Sequence, residues 1–426
     1  MKDLSEISKI GFGSYRISIS NSIHAEALAM ALNSGCNLVD TAPNYTFGES
    51  ERLIGKVLNE LNKDVFLITK AGYIQGDDIK GIQGLTLSHV AKMGSNFWYS
   101  LSPEFLDYQL KNSLKRLDRK FVDGFLLHNP EHYFSDKKLR LNKDKIYGLI
   151  SRAFSYLEDK VKQGVIRYYG ISSNTLPFHK DNPSTLSLPK LADLAQYVST
   201  KNHFKLIQFP FNAIEDEASK IVHADGMSLI DTARHRRLVT LSNRPLNASK
   251  EGKMLRLATY DDEVRKLDEL KSEEIFNSAF DSILLKLKEN EMEDQWHEFP
   301  ALVLLKDNWK NFSDPESVAR VFHQDVYPFL NTLFDNSFTP REKKLLEALV
   351  DASVLFAKKK MTLQARMIEE NLHSRGVLCS NPAHSLSLNL CEHYSRLGID
   401  HVLVGMRKSS YVETFKDGFT KHNCLK

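Results

Sequence analysis

Short apolar runs alternate along the first 250 residues with segments in which apolar residues recur at helical spacing. Residues 65–69 and 122–127 are almost unbroken in apolar character, which is typical of parallel strands buried on both faces. Residues 24–32 instead place their apolar side chains on one face of a helix. This alternation predicts strand–helix units and a parallel sheet. Seven strands are predicted in this part of the chain, at residues 9–14, 37–39, 65–69, 122–127, 165–171, 204–209 and 238–241.

An eighth apolar run, residues 401–405, follows only after a long segment of different character. Residues 250–374 are rich in Leu, Lys and Glu at helical spacing and show no strand alternation. Two proline-containing motifs there, at Pro315 and Pro340, are typical of helix starts. Residues 72–101 follow neither period and are predicted to form a long, aromatic-rich loop, whereas residues 218–235 are predicted to form one helix.

Polar residues stand where several of the apolar runs stop. Asp40, Lys70 and His128 each come at the end of a predicted strand, and the turn after Asp40 brings Tyr45 over the same end. The chemistry of parallel α/β folds gathers at the carboxyl ends of the strands. We therefore expect an acid, a phenol, an ammonium and an imidazole to form one proton-donating pocket.

These four residues resemble the catalytic tetrad of the aldo-keto reductases, which consists of Asp, Tyr, Lys and His in this chain order. The resemblance covers roughly residues 8–250 and 380–415. It implies a (β/α)8 TIM barrel with a helical insertion between the seventh and eighth strands. Three parts are expected: residues 1–249 with strands one to seven, a mostly helical insertion over 250–374 that includes part of the last barrel helix region, and a return to the barrel over 375–426.

The resemblance implies an enzyme that transfers hydride between a nicotinamide and a carbonyl or alcohol substrate. Tyr45 would be the general acid or base, and Lys70 would lower the pKa of its phenol. Asp40 would hold Lys70 in place. His128 would either hydrogen-bond the carbonyl oxygen or relay a proton. Taken singly, each residue has an ordinary structural explanation, such as an ion pair, loop packing or a core histidine.

No Gly-x-Gly-x-x-Gly follows a strand, which argues against a Rossmann site. The resemblance implies instead that the cofactor lies on the barrel mouth, with Gly13 and Ser14 beneath the nicotinamide. Ser172 and Gln208 match residues that hold its carboxamide, and Ser173 stands where the family usually has Asn. The pair Asn243 and Arg244, followed by Pro245, replaces an aromatic-Ser-Pro motif that stacks on the nicotinamide.

Residues 405–411 resemble the phosphate-binding turn after the last strand. This turn contributes Gly405, Met406, Arg407, Lys408 and Ser409. Arg407 and Lys408 would pair with a 2′-phosphate, which favours NADPH over NADH. A solvated basic turn is the plain alternative. Thr414 and Phe415 depart from the acidic residue and Asn that contact adenine in the family.

Composition excludes several classes of function. A formal charge of +3, from 57 basic and 54 acidic residues, gives no general attraction to nucleic acid or lipid. Sparse cysteines argue against disulfides or a zinc site, and no apolar run is long enough to span a bilayer. A cytoplasmic location with a small-molecule partner and no metal is expected. The cysteines are Cys36, Cys379, Cys391 and Cys424.

Three functions remain to be compared. The complete tetrad favours an NADPH-dependent oxidoreductase. The long insertion, rich in aromatic residues, favours an NADPH-binding sensor or assembly subunit with little turnover, in which the insertion engages a protein partner or a second copy of the chain. A metal-dependent barrel hydrolase or lyase fits poorly, because the strand ends do not carry a cluster of His and carboxylate ligands. We expect the insertion to pack near the carboxyl face of the barrel, since it leaves after the seventh strand.

Overall fold

The computed structural model describes residues 4–136, 138–221, 226–250, 253–335, 337–379 and 381–419. The chain divides into two compact units. The first, here called the barrel unit, consists of Met1–Met254 with Cys379–Lys426, and the second, called the helical unit, is Leu255–Leu378. Among the described helices, none has the length and apolar character needed to cross a membrane.

The barrel unit contains a closed barrel of eight parallel strands, in which β8 pairs with both β7 and β1. This arrangement confirms the predicted (β/α)8 barrel, with the insertion between the seventh and eighth strands. The strands are β1 (Ile10–Gly13), β2 (Leu38–Asp40), β3 (Phe66–Ala71), β4 (Val122–His128), β5 (Ile166–Ser172), β6 (Phe204–Pro210), β7 (Val239–Asn243) and β8 (His401–Gly405).

Helices follow the strands of the barrel, and side chains cap several of their starts. Ser102 accepts from the backbone N–H of Phe105, at a helix whose first residue is Pro103. The α-helices are Ser22–Asn33, Glu49–Leu61, Asp78–Gly81, Pro103–Leu117, Lys143–Lys162, Leu188–Val198, Glu217–Lys220, Leu229–His235, Leu386–Arg396 and Ser409–Phe415. Short 3-10 turns are Leu4–Glu6, Tyr45–Gly48, Pro130–Phe134 and Lys416–Gly418.

Apolar side chains from the strands pack together inside the barrel, which explains why the runs are so continuously hydrophobic. The buried set includes Leu38, Phe66, Ile68, Leu126, Leu206, Leu241 and Leu403. Gly170 on β5 is required by close strand packing, because a Cβ there would lie 1.8 Å from the carbonyl oxygen of Leu206. The strand register places Gly13 opposite both Asp40 and Gly405, and His128 opposite Ser172.

Three predicted segments differ from the structure. The expected loop over 72–101 contains a three-stranded antiparallel sheet of Tyr73–Ile74, Ala91–Lys92 and Trp98–Tyr99, with the last strand in the middle. Two-residue strands are too short to give a recognisable period. The single helix expected over 218–235 is two, Glu217–Lys220 and Leu229–His235, with residues 222–225 outside the described part. Strands also occur at Asn247–Lys250 and Lys253–Arg256. The second of these lies within residues 250–374, where the sequence showed only helical spacing.

The helical unit has an apolar core of its own, built by large side chains such as Phe280, Trp309 and Phe322. The predicted starts at Pro315 and Pro340 both carry capping boxes. The α-helices are Asp261–Val264, Glu269–Glu289, Pro300–Asn308, Pro315–Val321, Tyr327–Leu333 and Pro340–Ser374, with a 3-10 turn at Glu293–Glu298 and a π-helical turn at Phe322–Val326.

Candidate active site

Lys70 is the centre of the polar cluster at the carboxyl end of the barrel. It lies within β3 rather than after it, and its side chain is fully buried. Its Nζ lies 2.8 and 2.7 Å from the two carboxylate oxygens of Asp40 and 2.9 Å from the carbonyl oxygen of Thr41. The fourth contact, at 3.2 Å, is with the hydroxyl of Tyr45. The structure thus brings together the predicted acid, ammonium and phenol.

Burial shifts the pKa values of Lys70 and Tyr45 in opposite directions. Burial lowers the pKa of the Lys70 ammonium, and the Asp40 carboxylate acts against that shift. Burial and then the Asp40 carboxylate raise the pKa of the Tyr45 phenol well above its usual value of 10.0. The expected lowering of that pKa by Lys70 is therefore outweighed. The Tyr45 phenol therefore keeps its proton at neutral pH.

A strained turn presents Tyr45 to Lys70. Thr46 and Phe47 have φ angles of 46° and 54°, and Gly48 follows with 84°, so three successive residues are left-handed. This conformation costs a residue with a side chain about 1–2 kcal/mol. The hydroxyl of Thr46 donates to the carbonyl oxygen of Ile17 at 2.7 Å and helps to hold the turn. Such strain is typical of backbone that must aim a functional side chain.

His128 ends β4 and is buried beside the phenols. Its ring centroid lies 6.2 Å from that of Tyr45 and 4.7 Å from that of Tyr73, with both pairs edge to face. Burial and the neighbouring Lys70 charge lower the pKa of the His128 imidazole well below 6.5. The ring is neutral at physiological pH. Its Nδ1 is buried and has no hydrogen-bond partner among the described residues.

Four polar residues near His128 were not predicted as site residues. The Tyr73 hydroxyl lies 2.5 Å from Asn129 Nδ2 and 2.8 Å from His132 Nε2. Glu131 is buried, and burial raises the pKa of its carboxyl to about 7. The aromatic content of residues 72–101 pointed to this region. The particular partners depend on the small sheet, which the sequence did not reveal.

Ser172 and Gln208, the predicted carboxamide ligands, belong to the same hydrogen-bonded network as Lys70. The Ser172 hydroxyl donates to Gln208 Oε1 at 3.0 Å, and Gln208 Nε2 donates to Asp40 Oδ1 at 2.8 Å. Both side chains are almost completely buried. Ser173, which is also buried, accepts from the backbone N–H of Thr175 at 3.2 Å.

Gly13 and Ser14 lie at the end of β1, as the resemblance implies. The hydroxyl of Ser14 donates to the carbonyl oxygen of Asp40 at 2.7 Å, and the hydroxyl of Ser50 donates to Ser14 Oγ at 2.8 Å. Ser14 is fully buried. The Ser14 hydroxyl thus links the end of β1 to the end of β2.

Arg244 forms an ion pair with Glu215, with 2.8 Å between Arg244 Nη2 and Glu215 Oε1. Its backbone has a φ of 53°, directly after Asn243 at the end of β7. The ion pair fixes this guanidinium to the protein. In the turn after β8, Gly405 and Arg407 are exposed, Lys408 and Ser409 are half-buried, and Met406 is buried.

Comparisons with known proteins identify the family. The model of the aldo/keto reductase family matches residues 9–233, more than half of the chain. An uncharacterized oxidoreductase of Bacillus subtilis is 29% identical over 39% of this chain and 45% of its own length. An NADH-specific methylglyoxal reductase of Escherichia coli is 30% identical over 29% of this chain and 38% of its own length.

The chain thus spans about half, or less, of the length of these curated relatives. A glycerol dehydrogenase from Gluconobacter oxydans has a similar structure, with a TM-score of 0.50 at 17% identity over 97% of this chain and 87% of that one. This likeness agrees with the barrel fold. The chain belongs to the aldo/keto reductase family.

Proposed function

We propose that this protein is an NAD(P)H-dependent oxidoreductase that interconverts a carbonyl and the corresponding alcohol, with Tyr45 as the proton donor. The observation that carries the proposal is the contact of 3.2 Å between Lys70 Nζ and the Tyr45 hydroxyl, with Asp40 bound to the same ammonium. Phenol, ammonium and carboxylate form a group in which a proton can leave Tyr45 and the resulting charge is balanced.

Tyr45 holds its proton at neutral pH and gives it to the alkoxide that develops during reduction. The Lys70 ammonium stabilises the phenolate that remains, because it lies within hydrogen-bonding distance of that oxygen. Asp40 keeps Lys70 oriented through both carboxylate oxygens. When bound, the nicotinamide supplies the hydride in reduction and accepts it in alcohol oxidation.

His128 has the hydrogen-bonding role rather than the proton-relay role. Burial and Lys70 keep its imidazole neutral, so the ring carries one N–H, and a relay would need a partner for proton exchange at Nδ1, which has none among the described residues. Its Nδ1 is buried, so the N–H that can reach a substrate is the one on Nε2. This N–H would donate to the carbonyl oxygen and orient it towards Tyr45.

The donor set fits a nicotinamide dinucleotide at two places. Ser172 and Gln208 present hydroxyl and amide groups that suit a carboxamide; Ser172 donates to Gln208, and Gln208 donates to Asp40. Arg407 and Lys408 place two cations on one turn, which suits a phosphate and favours NADPH. Arg244 fits less well, because Glu215 occupies its guanidinium.

The test is oxidation of NADPH and NADH with a broad panel of aldehydes and ketones. Tyr45→Phe should reduce turnover by at least ~10²-fold while leaving cofactor affinity nearly intact. Tyr15→Phe is a matched control, since the Tyr15 ring lies 5.1 Å from that of Tyr45. A wild-type rate in Tyr45→Phe would remove this phenol from the mechanism.

A second candidate is a nucleotide-binding sensor or assembly subunit with little turnover. It is favoured by the helical unit, because this unit has an apolar core of its own and is an addition to the eight strands and their helices. Tight NADPH binding without turnover on any carbonyl would support this candidate. Fast turnover that depends on Tyr45 would exclude it.

A further inference from the structure

His128 lacks the usual means by which a site histidine is oriented. The second ring nitrogen of such a residue commonly bonds a carbonyl or carboxylate, which fixes the tautomer and the ring plane. In the described part of the chain, Nδ1 of His128 has no such partner, although it is buried. The His128 ring contacts two phenol rings, with centroid distances of 4.7 Å to Tyr73 and 6.2 Å to Tyr45.

We propose that Tyr73 is the positioning residue for His128, and that its ring takes the place of the missing hydrogen bond. The two rings meet edge to face at 77°, and their centroid distance of 4.7 Å is at the short end of the range for aromatic pairs. Contact at this distance restricts rotation of the imidazole about its side-chain bonds. The inference rests on the proposed function, because it assigns a cause to the orientation that His128 needs for its substrate.

Tyr73 can serve in this way because its own hydroxyl is held on two sides. Asn129 Nδ2 can only donate, so the Tyr73 oxygen accepts that hydrogen bond at 2.5 Å. On its other side the Tyr73 hydroxyl lies 2.8 Å from His132 Nε2, and the His132 tautomer sets which of the two donates. Burial lowers the pKa of the His132 imidazole.

The surrounding backbone and rings allow Tyr73 little freedom. It begins the first strand of the small sheet, and its ring stacks on Phe97 at 5.5 Å and meets Tyr99 edge to face at 6.0 Å. Gly72, directly before it, has a φ of 150°, and a Cβ there would lie 2.5 Å from the Tyr99 ring and 2.8 Å from the carbonyl oxygen of His128. The backbone at Gly72 therefore packs closely against the backbone of His128, directly before Tyr73.

The experiment is NMR of protein labelled at histidine, with the His128 signal identified by its loss in His128→Gln. Tyr73→Leu should shift and broaden that signal, because the imidazole loses the contact that limits its rotation. Tyr73→Phe keeps the ring and should shift the signal less. Trp98→Leu is the control from the same small sheet: Trp98 packs against the apolar cluster of Ile74, Ile82 and Phe105, and the His128 signal of this variant should stay near that of wild type.

Kinetics provide the second measurement. Tyr73→Leu should lower kcat by about 10-fold to 100-fold with little change in cofactor affinity, as expected for a misplaced group, and Tyr73→Phe should recover most of that loss. If Tyr73→Leu does not fold, Tyr73→Met is the substitute, since its longer and flexible apolar side chain fills more of the space without providing a ring.

An unchanged His128 signal in Tyr73→Leu, or in Tyr73→Met where that substitute is used, would overturn the inference. Equal losses of kcat in Tyr73→Leu and Tyr73→Phe would overturn it as well, because they would assign the effect to the hydroxyl. The NMR result does not require turnover. Failure of the proposed function would instead appear as a wild-type protein without carbonyl reduction, whatever the His128 signal shows.

Discussion

The two units each bury a lysine, and they use it differently. Lys70 in the barrel unit is fully buried and binds both oxygens of Asp40 and the hydroxyl of Tyr45. Lys286 in the helical unit donates to the carbonyl oxygen of Ser337 at 3.2 Å, and its Nζ lies 3.6 Å from Glu342. The Lys70 ammonium contacts the proposed proton donor Tyr45. The Lys286 ammonium instead links segments of the helical unit, through Ser337 and Glu342. Burial of a charge alone does not indicate function, and the identity of its partners does.

Replacing Lys70 should have the largest effect. Lys70→Met leaves Asp40 buried without its ion partner, which should lower the free energy of unfolding by about 3–5 kcal/mol, and turnover should fall by at least ~10²-fold. Lys286→Met is the comparison in the helical unit and should cost about 1 kcal/mol, the usual contribution of a hydrogen bond. Urea denaturation and steady-state rates measure both. Equal destabilisation by the two variants would contradict the distinction between these lysines.

The helical unit should instead respond to loss of apolar contacts. Trp309 is buried, and its ring stacks on Phe276 with centroids 4.8 Å apart and planes at 2°. Trp309→Ala should lower the free energy of unfolding of the helical unit by about 3–5 kcal/mol, through lost burial and a cavity. Calorimetry checks the shift, with Trp309→Phe as a control that keeps an aromatic ring. A loss below 1 kcal/mol would show that the core repacks.

One carboxyl in each unit allows the two units to be compared through the pH dependence of stability. Burial raises the pKa of Glu131 in the barrel unit to about 7, so the folded protein keeps a proton that the unfolded chain releases near 4.5. The stabilisation from the protonated Glu131 carboxyl is complete below pH 4.5 and is lost as the pH rises through about 7. The free energy lost is about 3 kcal/mol.

Glu131→Gln should remove this pH dependence, so its stability relative to wild type should increase between about pH 4.5 and 7. Glu342 in the helical unit should behave oppositely: although burial opposes it, hydrogen bonds from Thr339 lower the pKa of its carboxyl. Its contribution is lost as the pH falls. Denaturation of wild type, Glu131→Gln and Glu342→Gln tests both signs if the pH range extends from about 7 to well below 4.5, because the Glu342 contribution is lost only below its unfolded pKa of 4.5. Curves that stay parallel over this whole range would contradict both signs.

The smallest expected effect concerns the turn after β8. Arg407→Ala should weaken NADPH by roughly tenfold to a hundredfold, corresponding to about 1.5–3 kcal/mol for a charged contact, and NADH much less. Fluorescence titration with both cofactors measures the ratio. Arg244→Ala is the control, because its ion pair with Glu215 predicts no such selectivity. Equal losses for both cofactors in Arg407→Ala would show that Arg407 does not contact the additional phosphate.

Local periodicity was sufficient for the parallel strand–helix units and for the gathering of Asp40, Lys70 and His128, and the family resemblance implied the closed barrel. Parallel strands buried on both faces are continuous apolar runs, and their carboxyl ends meet at one side, so residues at those ends must be neighbours. The same reasoning failed over residues 72–101, where two-residue strands have no period to detect. Tyr73 was therefore assigned to a loop, and its contact with His128 was missed.

The sequence by itself determined the order of strands and helices, the helix starts and the residue types available at the barrel end. Tertiary structure decided which of those residues bind one another: Gln208 donates to Asp40 across 168 positions, and Tyr73 meets His132 across 59. It also decided the direction of the Tyr45 pKa, because burial and the Asp40 charge outweigh Lys70. Periodicity is a local property of the chain, whereas desolvation and hydrogen-bond partners depend on every segment that packs around a group.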